Sequence, residues 1–169
     1  MMYRIVKVLN HNTFIGIRSK DKCKCLIMGK GIAFGRKVSE SISVGEDAKV
    51  YTLTELTERG SAEEIIRSVP PECLELAGEI LDHAEKVFGQ IDRSILFPMA
   101  DHLAFAVQRI RNQEQISNPL TEDIRILFHQ EYKVAKCAEQ LLRERLHVEI
   151  DEHEIGYIAL HVHAAIEDQ

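Results

Sequence analysis

The sequence predicts an α+β chain of two domains, a small antiparallel β domain followed by an all-α helical bundle, and three observations carry that prediction. Up to residue 53 the apolar residues are often β-branched or aromatic and come in short runs broken by glycine. Beyond residue 61 they recur at helical spacing. The charge changes sign at the same place: residues 1–53 hold ten Lys or Arg against four Asp or Glu, a balance of +6, whereas residues 54–169 hold eleven against twenty-three, a balance of −12. At 169 residues, 45% hydrophobic and 28% charged, the chain can bury one core or two small ones. We divide it into a β domain at 1–55, a linker at 56–61 and a helical domain at 62–169.

In the first domain "YRIVKVLN", "TFIGIRS", "KCLIMG" and "AKVYTLT" read as four strands, with "SKDK" as a hairpin turn and Gly29, Gly31, Gly35 and Gly45 breaking the remainder. Four strands in so short a domain bury little, and a unit of that size usually needs a metal, disulfides or a partner. The four cysteines (Cys23, Cys25, Cys73, Cys137) include no C-x-x-C spacing, so they read as reduced thiols rather than a zinc site or a disulfide framework. A dimeric β domain is the expectation that follows.

In the second domain Ser61-Ala-Glu-Glu64 is a capping box, and Pro70-Pro71 stops one helix and opens the next. "ECLELAGEILDHAEKVFG" runs to a stop at Gly89, and "SILFPMADHLAFAVQRIRN" supplies a further helix. Asn118-Pro119 opens another, "EYKVAKCAEQLLRERL" follows, and Asp151-Glu-His-Glu154 is a capping-box pattern ahead of "IGYIALHVHAAI". We count five helices. No apolar run approaches the roughly eighteen residues of a membrane span, and "MMYRIVKVLN" lacks a signal-peptide h-region, so a cytoplasmic protein without membrane insertion is expected.

The stretch "IMGKGIAFGRK", Ile27 to Lys37, packs three glycines, three cations and a phenylalanine into a β-rich region. It has neither the P-loop nor the dinucleotide-fingerprint order, and no helix follows to hold a phosphate. Glycines that admit close backbone approach, Lys30, Arg36 and Lys37 for phosphates, and Phe34 to stack on a base fit RNA with unpaired bases. Upstream, Asn10 and Asn12 lie two apart at a strand end, where both amides could read base edges, with Lys7 nearby for phosphate. The plain alternative is hairpin chemistry for the glycines and asparagines, and a core position for Phe34.

"KVLNHN" followed by "IMGKGIAFGRK" resembles the co-antiterminator RNA-binding domain of the BglG/SacY/LicT family of bacterial transcriptional antiterminators. "VPPECLELAGEI", "ADHLAFAVQR" and "EIGYIALHVHAA" resemble the first PTS-regulation domain of the same proteins, so the likeness spans nearly the whole chain. The wording "KGIAFG" and "LHVH" is closer to the glucose-type members. The resemblance implies a homodimeric β head that binds an RNA hairpin in nascent message and stabilises it against an overlapping terminator. It assigns RNA contact to Lys7, Asn10, Asn12, Gly29, Lys30, Gly31 and Phe34, to which the cation Arg36 is added from the composition of the loop. Two departures stand out. Lys30 and Gly35 occupy positions where many members have Arg and Gln, and a lysine makes a point contact where an arginine forks. Full-length members also carry a second regulation domain, so a shortened chain or an unusually short homologue is expected.

Among the histidines, His102 shares a helix face with Phe105, Ala106 and Arg109, and Asp101 precedes it. His161 lies over Tyr157 and Ile158, and His163 over Ala159. Packing histidines are the plain reading. The resemblance instead matches His102 and His161 to the family's two phospho-accepting histidines, with Asp101 and Arg109 in support, and leaves His163 unassigned. It implies control of carbohydrate uptake genes by PTS phosphotransfer proteins, a sugar-specific enzyme II with HPr as a second donor. A neutral imidazole near pH 7 can take a phosphoryl group, and the dianion so added would disturb a packed interface.

The competing classes are weaker. His161-x-His163 with His102 and Asp101 as a metalloenzyme site fails on geometry, because helix positions two apart point about 200° from each other. No Ser or Cys sits in a nucleophile motif, so neither an enzyme, a metal nor a cofactor is expected. A fragment of a PTS-regulated DNA-binding activator would resemble only the helical domain, and the head has no helix-turn-helix pattern.

Overall fold

Along β1, Met2–Asn10, buried and exposed side chains alternate over the first residues, which fixes one face of the strand toward a core. The computed structural model describes residues 1–53, 56–57, 60–114 and 117–167. The chain divides into two units, Met1–Pro71 and Glu72–Gln169. The expected linker at 56–61 and the end of the β domain at 55 fall partly on residues 54–55 and 58–59, which lie outside the described residues.

In the first unit β2 (Thr13–Arg18), β3 (Lys24–Met28), β4 (Ser41–Ser43) and β5 (Lys49–Thr52) join β1 in an antiparallel sheet of order β4-β1-β2-β3-β5. One face carries a core of Tyr3, Ile5, Phe14, Cys25, Ile27, Ala33, Ile42 and Val44. In β3 the opposite-facing Leu26 and Met28 are buried as well, so the strand reads as a continuous apolar run rather than an alternating one. The four expected strands are present within a residue or two of their ends. The fifth, Ser41–Ser43, offers only Ile42 between two serines, too short a pattern to read in advance. The register slips between Ile5 and Lys7 and between Val8 and Asn10, and the turn at Ser19–Asp21 joins β2 to β3 where "SKDK" predicted it.

A two-strand ribbon, β6 (Leu56–Thr57) with β7 (Gly60–Ser61), leads into α1, Ala62–Ser68. The Ser61 hydroxyl oxygen accepts from the Glu64 amide at 3.2 Å, half of the expected capping box. Lys24 on β3 pairs with Glu63 of α1.

The second unit is helical, from α2 (Pro71–Phe88) through a 3-10 turn at Arg93–Ile95 to α3 (Leu96–Arg111), α4 (Thr121–Leu127), α5 (His129–Ala135), α6 (Cys137–Leu146) and α7 (Glu152–Glu167). Gly89 stops α2 at φ +82. The described residues hold seven α-helices where five were expected. Much of the excess comes from breaks in a continuous apolar pattern: Phe128, at φ −117 and ψ 51, leaves helical geometry between α4 and α5, and Lys136 separates α5 from α6. Asn118 stands just ahead of α4 where an opening was predicted, accepting from the Leu120 amide at 3.0 Å in an Asx turn, while the N-cap itself is Leu120. The core joins Leu74, Ile80 and Leu81 of α2, Phe97, Met99 and Leu103 of α3, and Ile155, Ile158 and Val162 of α7. The helix α7 packs against α3, α4 and α5. No helix among the described residues is long and apolar enough to cross a membrane.

Candidate nucleic-acid interface and histidine cluster

The loop after β3 is held from beneath by the turn between β1 and β2. The Asn10 side-chain oxygen accepts from the Asn12 amide at 2.9 Å and from the Thr13 hydroxyl at 2.7 Å, an Asx turn that closes the hairpin. The Asn12 side-chain oxygen accepts from the Gly31 amide at 2.7 Å, its backbone carbonyl from the Gly29 amide at 2.9 Å, and the His11 carbonyl from the Ala33 amide at 2.9 Å. Both asparagine oxygens are therefore engaged with the hairpin and the loop. The spacing that drew attention to the two residues does mechanical work as well.

Above this support the loop turns at Gly31 (φ +68) and Gly35 (φ +72), left-handed positions that disfavour a side chain. Between them Phe34 is 67% exposed, an outward aromatic rather than the core residue of the plain reading. Its ring meets His11 edge-on, with centroids 4.9 Å apart. Lys30, Arg36 and Lys37 are exposed around it, and Lys7 is exposed on β1. Arg36 pairs with Glu40 at 3.1 Å, a solvent-facing contact that a phosphate can replace at small cost.

In the helical unit His102 of α3 and His161 of α7 face each other, ring centroids 5.5 Å apart, and His102 lies 5.5 Å from the Tyr157 ring. Glu154 organises the cluster. Its carboxylate, 2% exposed as a residue, lies 3.0 Å from Nε2 of His102 and accepts from Arg109 at 2.5 Å. Burial pushes that carboxyl up, but the hydrogen bonds and charges of His102 and Arg109 outweigh burial and hold it below the usual carboxylate value. At His161 burial pushes the imidazole down to about 4, His102 adding to the effect and the Tyr157 carbonyl partly opposing it, so the ring is neutral at pH 7.

Sequence reasoning missed Glu154, having read it as a capping residue. Asp151 does cap α7, accepting from the His153 and Glu154 amides at 3.0 and 3.2 Å, while the Glu154 side chain turns inward instead. The available signal was spacing: Glu154 and His161 stand seven apart on one helix, as His102 and Arg109 do on another. Asp101 sits half-buried next to His102. His163 is turned elsewhere, its Nδ1 2.8 Å from Glu131 and its ring stacked on Phe128 at 4.1 Å. Burial pushes the Cys73 thiol up to about 11 and that of Cys137 to about 12, which leaves both inert as nucleophiles at neutral pH.

Residues 3–59 match the CAT RNA binding domain, and residues 78–165 match the PRD domain. The chain belongs to the PRD family and carries a CAT RNA binding domain ahead of its PRD domain. The CAT match contains the loop, from Lys7 to Arg36, and the PRD match contains His102, Arg109, Glu154 and His161. Transcription antiterminator LicT of Bacillus subtilis (strain 168) is 29% identical over 160 residues, covering 94% of this chain and 57% of LicT. The GlcA/glcB genes antiterminator of Staphylococcus carnosus is 28% identical over 173 residues, covering 98% and 58%. The chain thus spans under two thirds of the length of these curated relatives. A crystal structure of GlcT CAT-PRDI superposes with a TM-score of 0.79 at 26% identity, covering 98% of this chain and 99% of that one. Two domains in the order CAT then PRD, α+β overall, are what the sequence led us to expect.

Proposed function

We propose that the chain is an RNA-binding transcriptional antiterminator. It holds a hairpin in nascent message against an overlapping terminator, and its PRD domain sets that activity through phosphorylation of His102 and His161. It works in the cytoplasm as a homodimer and a regulator rather than an enzyme, on RNA and not DNA. Its donors are PTS phosphotransfer proteins. The observation that carries the reading is the outward Phe34 between Lys30 and Arg36, inside a CAT RNA binding match and next to a PRD domain that contains paired histidines. Lys7, Lys30 and Arg36 supply phosphate contacts, Gly29 and Gly31 close approach, Asn10 and Asn12 the shape of the loop and base-edge contacts, and Phe34 a stacking surface. Arg109 and Asp101 support the phosphosite at His102.

The full chain should shift a terminator-overlapping hairpin in a gel titration in preference to scrambled RNA and duplex DNA, with affinity falling as salt rises. Phe34→Ala should cost about 1–3 kcal/mol of RNA binding, the usual worth of a base stacked on an aromatic ring. Equal affinity for hairpin, scrambled RNA and DNA would remove the proposal.

A further inference from the structure

The two facing histidines present opposite ring nitrogens. On His102, Nε2 is directed at the Glu154 carboxylate, and an ionised carboxylate can only accept, so Nε2 carries the proton and Nδ1 keeps the lone pair. On His161, Nδ1 lies 3.0 Å from the Tyr157 carbonyl, which can also only accept, so Nδ1 carries the proton and Nε2 keeps the lone pair. Both residues are partly rather than fully buried. Resting on the proposed phosphorylation of these residues, we infer that the phosphoryl group goes to Nδ1 of His102 and to Nε2 of His161, with Glu154 as the positioning residue that fixes the first choice.

The chemistry at His102 agrees with that assignment. The Nδ1 lone pair forms a bond to phosphorus while the donor's own bond to phosphorus breaks, and the donor atom keeps that electron pair. No proton moves in the step. The ring is left cationic, with its Nε2–H directed at Glu154, so the carboxylate stabilises the product ring much as an orienting carboxylate stabilises an imidazolium. A phosphoryl group on Nε2 would instead sit against that carboxylate, like charge on like. At His161 the cation that forms has a carbonyl rather than a carboxylate as its hydrogen-bond partner, in a buried setting, which makes His102 the more readily modified of the pair. A cleft of about 370 Å³ beside Glu154 is lined by Glu114, Glu149 and Asp151, the wrong sign to hold an anionic donor.

Long-range proton–nitrogen NMR of the full chain at pH 7.5, with ring signals assigned from His102→Gln and His161→Gln, reads the tautomers before any phosphate is added. The expected result is Nε2–H at His102 and Nδ1–H at His161. The same tautomer at both, or averaging between tautomers at His102, would overturn the inference. Glu154→Gln should release His102 into tautomer exchange and leave His161 as it was; an unchanged His102 spectrum denies Glu154 its role. A phosphorylated sugar-specific enzyme II domain and phosphorylated HPr then serve as donors in parallel reactions, with the isomers distinguished by phosphorus–proton correlations. Label on Nε2 of His102 counts against the inference alone, whereas label at neither histidine counts against both the inference and the proposed control.

Discussion

In the β unit the polar side chains that shape the candidate interface act close to home, and in the helical unit they do not. Asn10 bonds residues two and three positions away and Asn12 reaches nineteen, all within one hairpin and the loop it supports. Glu154 bonds partners 52 and 45 positions away on another helix. The first arrangement holds an exposed loop in solvent, where each bond contributes modestly. The second buries a carboxylate between Arg109 and His102, where a missing partner leaves a charge poorly compensated. The difference teaches where each unit is fragile: the loop tolerates the loss of a contact, while the histidine cluster stands or falls on one carboxylate.

The sharpest way to break the contrast is Glu154→Ala. It should cost the helical unit about 2–4 kcal/mol in urea unfolding, because Arg109 and His102 lose a common buried partner. A cost below about 0.5 kcal/mol would mean that the cluster is no more integral than a surface pair.

Next in size is a pH effect at His161. Unfolded, its ring takes up a proton near pH 6.5, but folded it does so only at about 4, so the stability it contributes is complete above pH 6.5 and is lost as pH falls. The parent should lose roughly 2 kcal/mol of helical stability between pH 7 and pH 5 from this group. His161→Gln should remove that slope, and an identical slope in the variant would place the proton uptake elsewhere.

The smallest effect is expected in the loop. Asn12→Ala removes one acceptor from the Gly31 amide and should cost about 1 kcal/mol of β-unit stability, with hairpin affinity falling in step. Full stability with lost RNA binding would recast Asn12 as a reader of bases rather than a support.

The same contrast decides what was legible in the sequence. β1, β2 and β3, the stop at Gly89, the cap at Ser61 and the turn at Asn118 depend on neighbours in the chain, and local chemistry spells them out. The loop was legible for the same reason: glycines, cations and Phe34 are contiguous. Ser41–Ser43 exists because β1 is there to pair with it, and the break at Phe128 comes where its ring stacks on His163 of α7, so neither could be read from its own segment. Glu154 was hidden by a competing meaning, since an acid three residues after Asp151 is also what a capping box requires. Only the pairing of α3 with α7 reveals which use the side chain has.

The strand order puts β4 and β5 on the two outer rims of the sheet, and they are the shortest strands in it, three and four residues. A neighbouring chain laying itself along either rim would gain only a few backbone bonds before running past the strand, and at β5 it would meet the exposed Lys49. Strand-by-strand stacking of the kind that propagates fibrils therefore has little to template on. A basic RNA-seeking domain can reach high local concentration on a polyanion without its sheet becoming a seed for aggregation.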